Sequence, residues 1–335
     1  MTRLRGLLPV LGPAAILGLV LVAAAALEPA FFSASNLRNL ARLSSFLVVV
    51  SLGQLVVVIS RGLDLSVGAV ITTTLLLVVE LTGGDDDRVL VAVGATLLAA
   101  TAVGLVNGFM VAVRGVPAIL ATLATFTLVG GLSLYLTGGR AAGPVPDAVK
   151  PLGVGNVLGI PVPVLIATGC AVVVWGLLAR TTAGRVLYAT GANAVASRLS
   201  GIAVRRVGVL AFVGSALLAA IAGLMLSGYV GFYDRTLGVG YDLDSIAAVV
   251  LGGAALTGGR GRVGGTVLAA IGLASLDNLL LVMGAADSLQ LIWKATVLLA
   301  AVLSAQWLFT PSDVARVRPM PTAAGIAEPS PRKER

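Results

Sequence analysis

Ten apolar runs, most of them near the length that crosses a bilayer, follow one another along these 335 residues and leave little chain between them. They lie at 6–27, 43–60, 69–79, 89–113, 117–136, 160–179, 207–227, 245–257, 263–283 and 288–309. A helix needs about 20 mainly apolar residues to cross the hydrocarbon core. The third and eighth runs fall short of that, and glycines break the eighth. Residues of the set AVILMFWYC make up 58% of the chain and only 11% is charged. A soluble chain of this size has to present a wettable surface, and this composition cannot supply one. The expected fold class is therefore all-α, a polytopic integral membrane helix bundle of about ten transmembrane helices. One transmembrane domain, 1–310, is expected to precede a disordered cytoplasmic tail at 311–335, which is rich in proline and charge. The first run exceeds the 7–15 apolar residues of a signal peptide, so it is expected to stay as a span.

Charge sets the orientation. The net charge is +8, which in a soluble protein would suggest nucleic acid. Here the basic residues sit in short loops, where membrane topology explains them better. With both termini in the cytoplasm, sixteen Lys and Arg fall inside and six outside, Lys294 lying within a span. Basic residues are retained on the cytoplasmic side, so both ends are expected there, in a cytoplasmic membrane. The chain has no histidine and a single cysteine, Cys170. It thus lacks the commonest general base and metal ligand, and it cannot form an internal disulfide. No metal, cofactor or catalytic residue is expected.

Several motifs stand out. Gly53-Gln54 precedes Gly62-Leu-Asp-Leu-Ser-Val-Gly68 at the junction of two apolar runs. Asp64 suits a helix start, where a carboxylate accepts backbone N–H groups, and glycines allow close backbone approach. The segment reads either as a capped turn or as a structural break at a gate, with Gly62, Asp64, Ser66 and Gly68 as its parts. The stretch 180–206 is long, basic and free of acids. Residues 193–199 suit a short helix that Gly201 ends, within either a solvated loop or a docking element. Gly259-Arg-Gly-Arg-Val-Gly264 matches a dinucleotide fingerprint in letters only. Apolar runs flank it, and the soluble βαβ setting is missing, so a tight turn is expected. No G-x-x-x-x-G-K-[ST] occurs, so any ATP must be bound by another chain.

Two ionisable residues lie inside runs, Asp277 and Lys294, at matching depth on adjacent antiparallel helices. They pair, or Lys294 reaches outward, or they line a path; such residues are costly and often functional. The remaining candidates for a path are small and neutral: Gln54, Asn107, Thr122, Thr125 and Asn278. Sparse amides and hydroxyls suit a neutral, hydroxyl-rich solute.

Taken in order, Gly53-Gln54 with Gly62–Gly68, Gly104-Leu-Val-Asn-Gly108, Val116-Pro-Ala-Ile-Leu-Ala-Thr-Leu123, Gly184–Asn193 with Ser200-Gly-Ile202, Gly238–Gly253 and Gly258–Thr266 resemble the ribose-type (simple sugar) ABC transporter permease family over about 35–305. The resemblance implies a transmembrane subunit that imports a simple sugar and catalyses no bond change. It implies three partners: ABC ATPase subunits, an extracytoplasmic solute-binding protein and a second permease copy. Membrane lipid surrounds the assembly, and nucleic acid is not a partner. It implies that Gly191, Asn193, Ala196, Arg198, Ser200 and Gly201 form the ATPase-coupling loop, and that Asp234, Asp242 and Asp244 face the binding protein. The acid that importers usually carry before the alanine pair is absent, Ala194-Val-Ala196 standing there instead. The rival readings are a permease for branched-chain amino acids or nucleosides, a stand-alone secondary transporter, and a membrane-embedded enzyme. The secondary transporter needs a mid-membrane ion site, and the enzyme needs clustered acids or histidine.

Overall fold

The computed structural model describes residues 8–138 and 143–286, together with 288, 289, 292, 295, 296 and 299. Lys294, most of the expected tenth span and the stretch 311–335 lie outside the described residues. Twelve helices are named here in chain order. A first helix, α1 (Leu8–Leu27), leads through a 3-10 turn, Pro29–Phe32, into α2 (Ala34–Ile59). Then come α3 (Val67–Thr82), α4 (Val89–Gly108) with a π-helical turn at Phe109–Val113, and α5 (Ala118–Thr137). A short α6 (Lys150–Val154) and a two-stranded antiparallel hairpin, Asn156–Val157 with Ile160–Pro161, precede α7 (Val162–Arg180). The chain continues through α8 (Thr182–Ala192), α9 (Ala194–Leu199), α10 (Val204–Val230), α11 (Tyr241–Leu251) and α12 (Val263–Val282).

Six stretches among the described residues are long and apolar enough to cross a membrane: those containing α2, α4, α5, α7, α10 and α12. The protein is thus a multi-pass membrane protein, and the structure differs from the expected spans in three places. The second span begins at Ala34 rather than 43, because Ser33 caps the helix by accepting the Asn36 N–H. That draws Arg38 and Arg42 into α2. The third, α3, has 16 residues and its first turn lies inside the bundle. The eighth is α11, 11 residues long, which at 1.5 Å per residue covers about half of the hydrocarbon core. It starts early because Asp242 and Asp244 occupy its first turn, where carboxylates are favoured. It stops at Gly252-Gly253, with Gly253 at φ 85°.

Close packing of small residues around α10 holds the bundle. Lipid tails are as apolar as leucine, so helices in a bilayer associate through tight contact rather than hydrophobic expulsion. Gly104 and Gly108 lie on one face of α4. A Cβ at either would fall 2.6 or 2.7 Å from the Cα of Val213 or Val209 on α10. Gly53 brings α2 against Ser215, and Gly223 receives Thr74 of α3. Core residues Phe46, Leu52 and Leu55 of α2 are fully enclosed, whereas Leu90, Leu98, Leu128 and Val173 on α4, α5 and α7 are exposed as a lipid-facing rim.

Beyond α10 the chain turns at Gly231 (φ 82°) and pairs Phe232 with Pro144. It then returns into the bundle until Gly238 meets the first turn of α3. A Cβ on Gly238 would lie 2.1 Å from the Gly68 carbonyl oxygen. Counting along α3 and α10 from the Thr74–Gly223 contact places this meeting roughly 20 Å in from the end of α10. The segment 232–240 with α11 therefore crosses the bundle as a broken span, extended down to Gly238 and helical beyond it, and comes out beside α8, where Arg61 donates to Thr257 O and Tyr188 to Gly261 O. Gly238 and Tyr233 are buried in it, whereas Phe232, Arg235, Thr236 and Val239 are exposed, so protein encloses this irregular backbone only in part.

Packing this tight yields a paired expectation. Gly153→Ala puts a methyl 2.0 Å from the Tyr229 nitrogen, whereas Gly94→Ala meets nothing within 4 Å. Thermal melts in detergent should show Gly153→Ala destabilised by about 1–3 kcal/mol and Gly94→Ala unchanged or slightly raised.

Candidate functional site

Between α2 and α3 the helix is interrupted for seven residues, and buried side chains take over the missing backbone partners. Arg61 adopts φ 72°, the left-handed geometry that usually ends a helix with glycine. The N–H of Gly62 donates to Val57 O at 2.9 Å and that of Arg61 to Val58 O at 3.0 Å. A Cβ at Gly62 would press on Val57 and Phe212. The Gln54 side chain, its amide oriented as its surroundings require, brackets the Asp64 backbone. It donates to the carbonyl at 3.1 Å and accepts from the N–H at 3.2 Å. The Asp64 carboxylate accepts from the Ser66 N–H at 3.0 Å and the Ser66 hydroxyl at 2.6 Å.

The network continues outward. Asn107 of α4 donates to the Ser66 hydroxyl at 2.8 Å and accepts from Thr125 of α5 at 2.6 Å. Thr122 donates to the Leu63 carbonyl at 3.3 Å. Gln54, Asp64, Ser66, Asn107 and Thr122 are all buried. The structure thus brings four of the candidate path residues, Gln54, Asn107, Thr122 and Thr125, onto the break, with their polar atoms engaged there. Gly68 sits one turn on, against Gly238. Asp64 Oδ2 and the Ser215 hydroxyl of α10 are buried without a hydrogen-bond partner.

Asn278 lies elsewhere. It exchanges two hydrogen bonds, 2.7 and 3.0 Å, with Asn36 at the start of α2. Asp277 precedes it on α12, and its expected partner Lys294 is outside the described residues. Of the three acids expected to face a binding protein, Asp234 accepts from the Thr236 N–H and hydroxyl. Asp242 accepts from Gly240 N–H at the start of α11.

The stretch 180–206 folds as a helix pair. Thr181 caps α8 by accepting from Gly184 N–H. Asn193 caps α9 with two acceptances, from Val195 and Ala196 N–H, each 3.0 Å. Gly201 at φ 81° ends α9, and Ile202 N–H returns to Ser197 O. Asn193, Ala196, Arg198, Ser200 and Gly201 are exposed, while Gly191 is buried. Val195 and Leu199, four apart on α9, are 68% and 85% exposed. This apolar pair escaped the sequence reading, although its spacing puts both on one helix face.

The pair is tied to the break. Gly191 packs so closely that a Cβ would lie 1.8 Å from the Ile59 carbonyl oxygen. Gly259 N–H donates to that same oxygen at 2.9 Å. Tyr188 donates to Gly261 O at 2.8 Å, so the 259–264 segment is a tight turn joined to α8. Arg61 completes the knot, donating to Thr257 O at 2.8 Å and Ala192 O at 3.0 Å. The sequence did carry a signal for Arg61: a long side chain where a helix end favours glycine implies that the side chain is held.

Apolar crossing helices, a broken helix at their centre and a capped helix pair projecting from one end together define a membrane-embedded permease. The chain belongs to the family described as the permease component of branched-chain amino acid transport systems, whose model matches residues 36–304. It is 38% identical to the ribose import permease protein RbsC of Haemophilus influenzae over 291 residues, covering 85% of this chain and 89% of that protein. RbsC of Bacillus subtilis is 36% identical over 300 residues, 89% of this chain and 93% of that one. The L-arabinose transport system permease protein AraH of Escherichia coli is 33% identical over 292 residues, 87% and 89%. No solved structure matches the chain.

Two outcomes are expected of the break. Asn107→Leu leaves Ser66 and Thr125 without their shared partner and should cost about 1–3 kcal/mol in a detergent melt; Thr125→Val should cost less. Arg61→Gly keeps the backbone geometry but removes both guanidinium bonds. Hydrogen exchange should then quicken at residues 188–201 while 63–66 stay protected.

Proposed function

We propose that this chain is the membrane subunit of an ATP-binding-cassette importer for a simple sugar, ribose-, xylose- or galactose-like, moved inward across the cytoplasmic membrane. The observation that carries the reading is likeness along most of the chain, at 33–38% identity, to permeases named for ribose and L-arabinose import. The family's own description names branched-chain amino acids, which keeps that solute class as the competing reading.

The energy comes from an ATPase on a separate chain. The α8–α9 pair is its docking element: Val195 and Leu199 offer an apolar face, and Gly191, Asn193, Ala196, Arg198, Ser200 and Gly201 shape it. A push on α9 passes through Gly191 and Arg61 to Ile59 and so to the break, where Gly62, Asp64, Ser66 and Gly68 form the gate. Gln54, Asn107, Thr122 and Thr125 become available to sugar hydroxyls when that gate rearranges, and Asn278, bonded to Asn36, meets the sugar nearer the opposite end. A second copy completes the passage. A solute-binding protein delivers the sugar at the opposite end, near Asp234, with Asp242 and Asp244 deeper along the same way in, at the start of α11. About ten spans with both termini inside, and a pairing of Asp277 with Lys294, belong to the same reading.

Reconstitution with the cognate ATPase and binding protein tests it. ATP-dependent uptake of labelled ribose or a related sugar is expected, without uptake of leucine; the reverse preference would reject the sugar assignment. Replacing Gly201 by tryptophan should abolish binding-protein stimulation of ATP hydrolysis while membrane insertion persists. Unaltered stimulation would reject the docking role.

A further inference from the structure

At the end of the bundle away from α8 and α9, a basic pocket sits directly above an apolar groove. Ser35, Arg38 and Arg42 of α2, with Asn156 and Gly159 of the hairpin, line a pocket of about 410 Å³. Arg42 donates to the Val154 carbonyl at 2.9 Å, yet its Nε is buried without a partner. No described carboxylate pairs with either arginine. Two unopposed guanidinium groups on one helix face call for an anion, and the planar fork of arginine fits phosphate oxygens in pairs.

The groove begins one residue from the pocket, at Leu37 and Ala41, and runs between α2, α7 and α12 with a volume of about 770 Å³. Leu40 and Val48 form one wall, Ala167 and Ala171 the second, Val267 and Ile271 the third. Its hydroxyls do not make it polar. Ser44 and Ser45 both donate to Ala41 O, and Thr168 to Val164 O. An anionic head and an apolar tail on one ligand fit this pair of sites, and separate ligands would leave one of them unexplained.

We propose that the two together bind an anionic phospholipid, its phosphate between Arg38 and Arg42 and an acyl chain in the groove. The depth agrees: the arginines lie roughly 6–12 Å along α2 from its start, near the level of the lipid phosphates, whose oxygens the guanidinium fork can pair. A zwitterionic lipid brings its own cation and leaves the paired charge unbalanced. The site stands independently of what the chain transports.

Native mass spectrometry of the full-length protein in detergent tests it, with phosphatidylglycerol and phosphatidylcholine added in separate arms. The phosphatidylglycerol adduct should survive activation and the phosphatidylcholine adduct should not. The double variant R38Q/R42Q should retain at least tenfold less phosphatidylglycerol. Ala171→Trp, which fills the groove and leaves both arginines in place, should do the same, and it serves if the charge variant fails to insert. Equal retention of the two lipids, or full retention in both variants, would overturn the proposal. Displacement of the adduct by inorganic phosphate, with Ala171→Trp having no effect, would reduce the pocket to an ion site and overturn it as well. In a Cys170→Ser background, a cysteine at Thr168 should react with a maleimide in lipid-free detergent and be shielded by phosphatidylglycerol. Shielding without lipid would mean that protein covers the groove, either a second copy or residues 288–309, and would sink the idea.

Discussion

An interrupted helix inside an apolar medium has to find partners for every backbone group it releases, and this one demand shapes the centre of the protein. Each unpaired amide or carbonyl in hydrocarbon costs several kcal/mol. At residues 60–66 the protein meets the demand with side chains from the surrounding helices. Gln54 replaces a stretch of helix backbone with its own amide. Asp64 holds the start of α3 through Ser66. Asn107 and Thr122 come from α4 and α5. Because its members bond to one another across α2, α3, α4 and α5, with only Asp64 Oδ2 left over, the network also fixes how four helices stand relative to one another. Buried polar groups in a low dielectric tolerate few alternative pairings, so the break has a small number of permitted arrangements. That is a useful property in a gate.

The same logic explains the far end. The α8–α9 pair lies in a water-facing stretch and could have been a loose loop, but backbone contacts with no room for a side chain bind it to the bundle. Gly191 rests on the Ile59 carbonyl, and Arg61 spans from the end of α2 to Ala192 and Thr257. The cost of holding an arginine in left-handed geometry, of order 1 kcal/mol, is offset by two charge-assisted hydrogen bonds. A displacement of the pair therefore reaches the break over a few residues. No long wire of contacts is required.

Much of this was legible in the chain as written. The membrane bundle followed from apolar length and scarce charge. A short helix at 193–199 and Gly201 as its stop were visible because such signals depend on neighbours three or four residues away, although Asn193 turned out to be the cap rather than the first residue. The segment around Asp64 was recognisable as a junction for the same local reason. What was not legible depended on distant partners. Gln54, Asn107 and the pair Thr122 and Thr125 read as polar residues in three different spans, and nothing in their spacing says that they meet. Nor did the pattern around 245–257 reveal a half-helix, since a short apolar run does not say that an extended segment ahead of it completes the crossing.

Sequence alone determined that this protein lives in a bilayer, that its long apolar stretches are helical, and to which family the chain belongs, because these rest on composition, local period and the order of motifs. Tertiary structure decided which face of each helix is inside, that an extended segment runs into the bundle to set Gly238 on Gly68, and that Gln54, Asn107, Thr122 and Thr125 converge on one break. The physical reason is range. Hydropathy and capping act within a turn or two of helix, whereas the satisfaction of buried polar groups and the fit of glycine against backbone are settled only between segments that lie far apart in the chain.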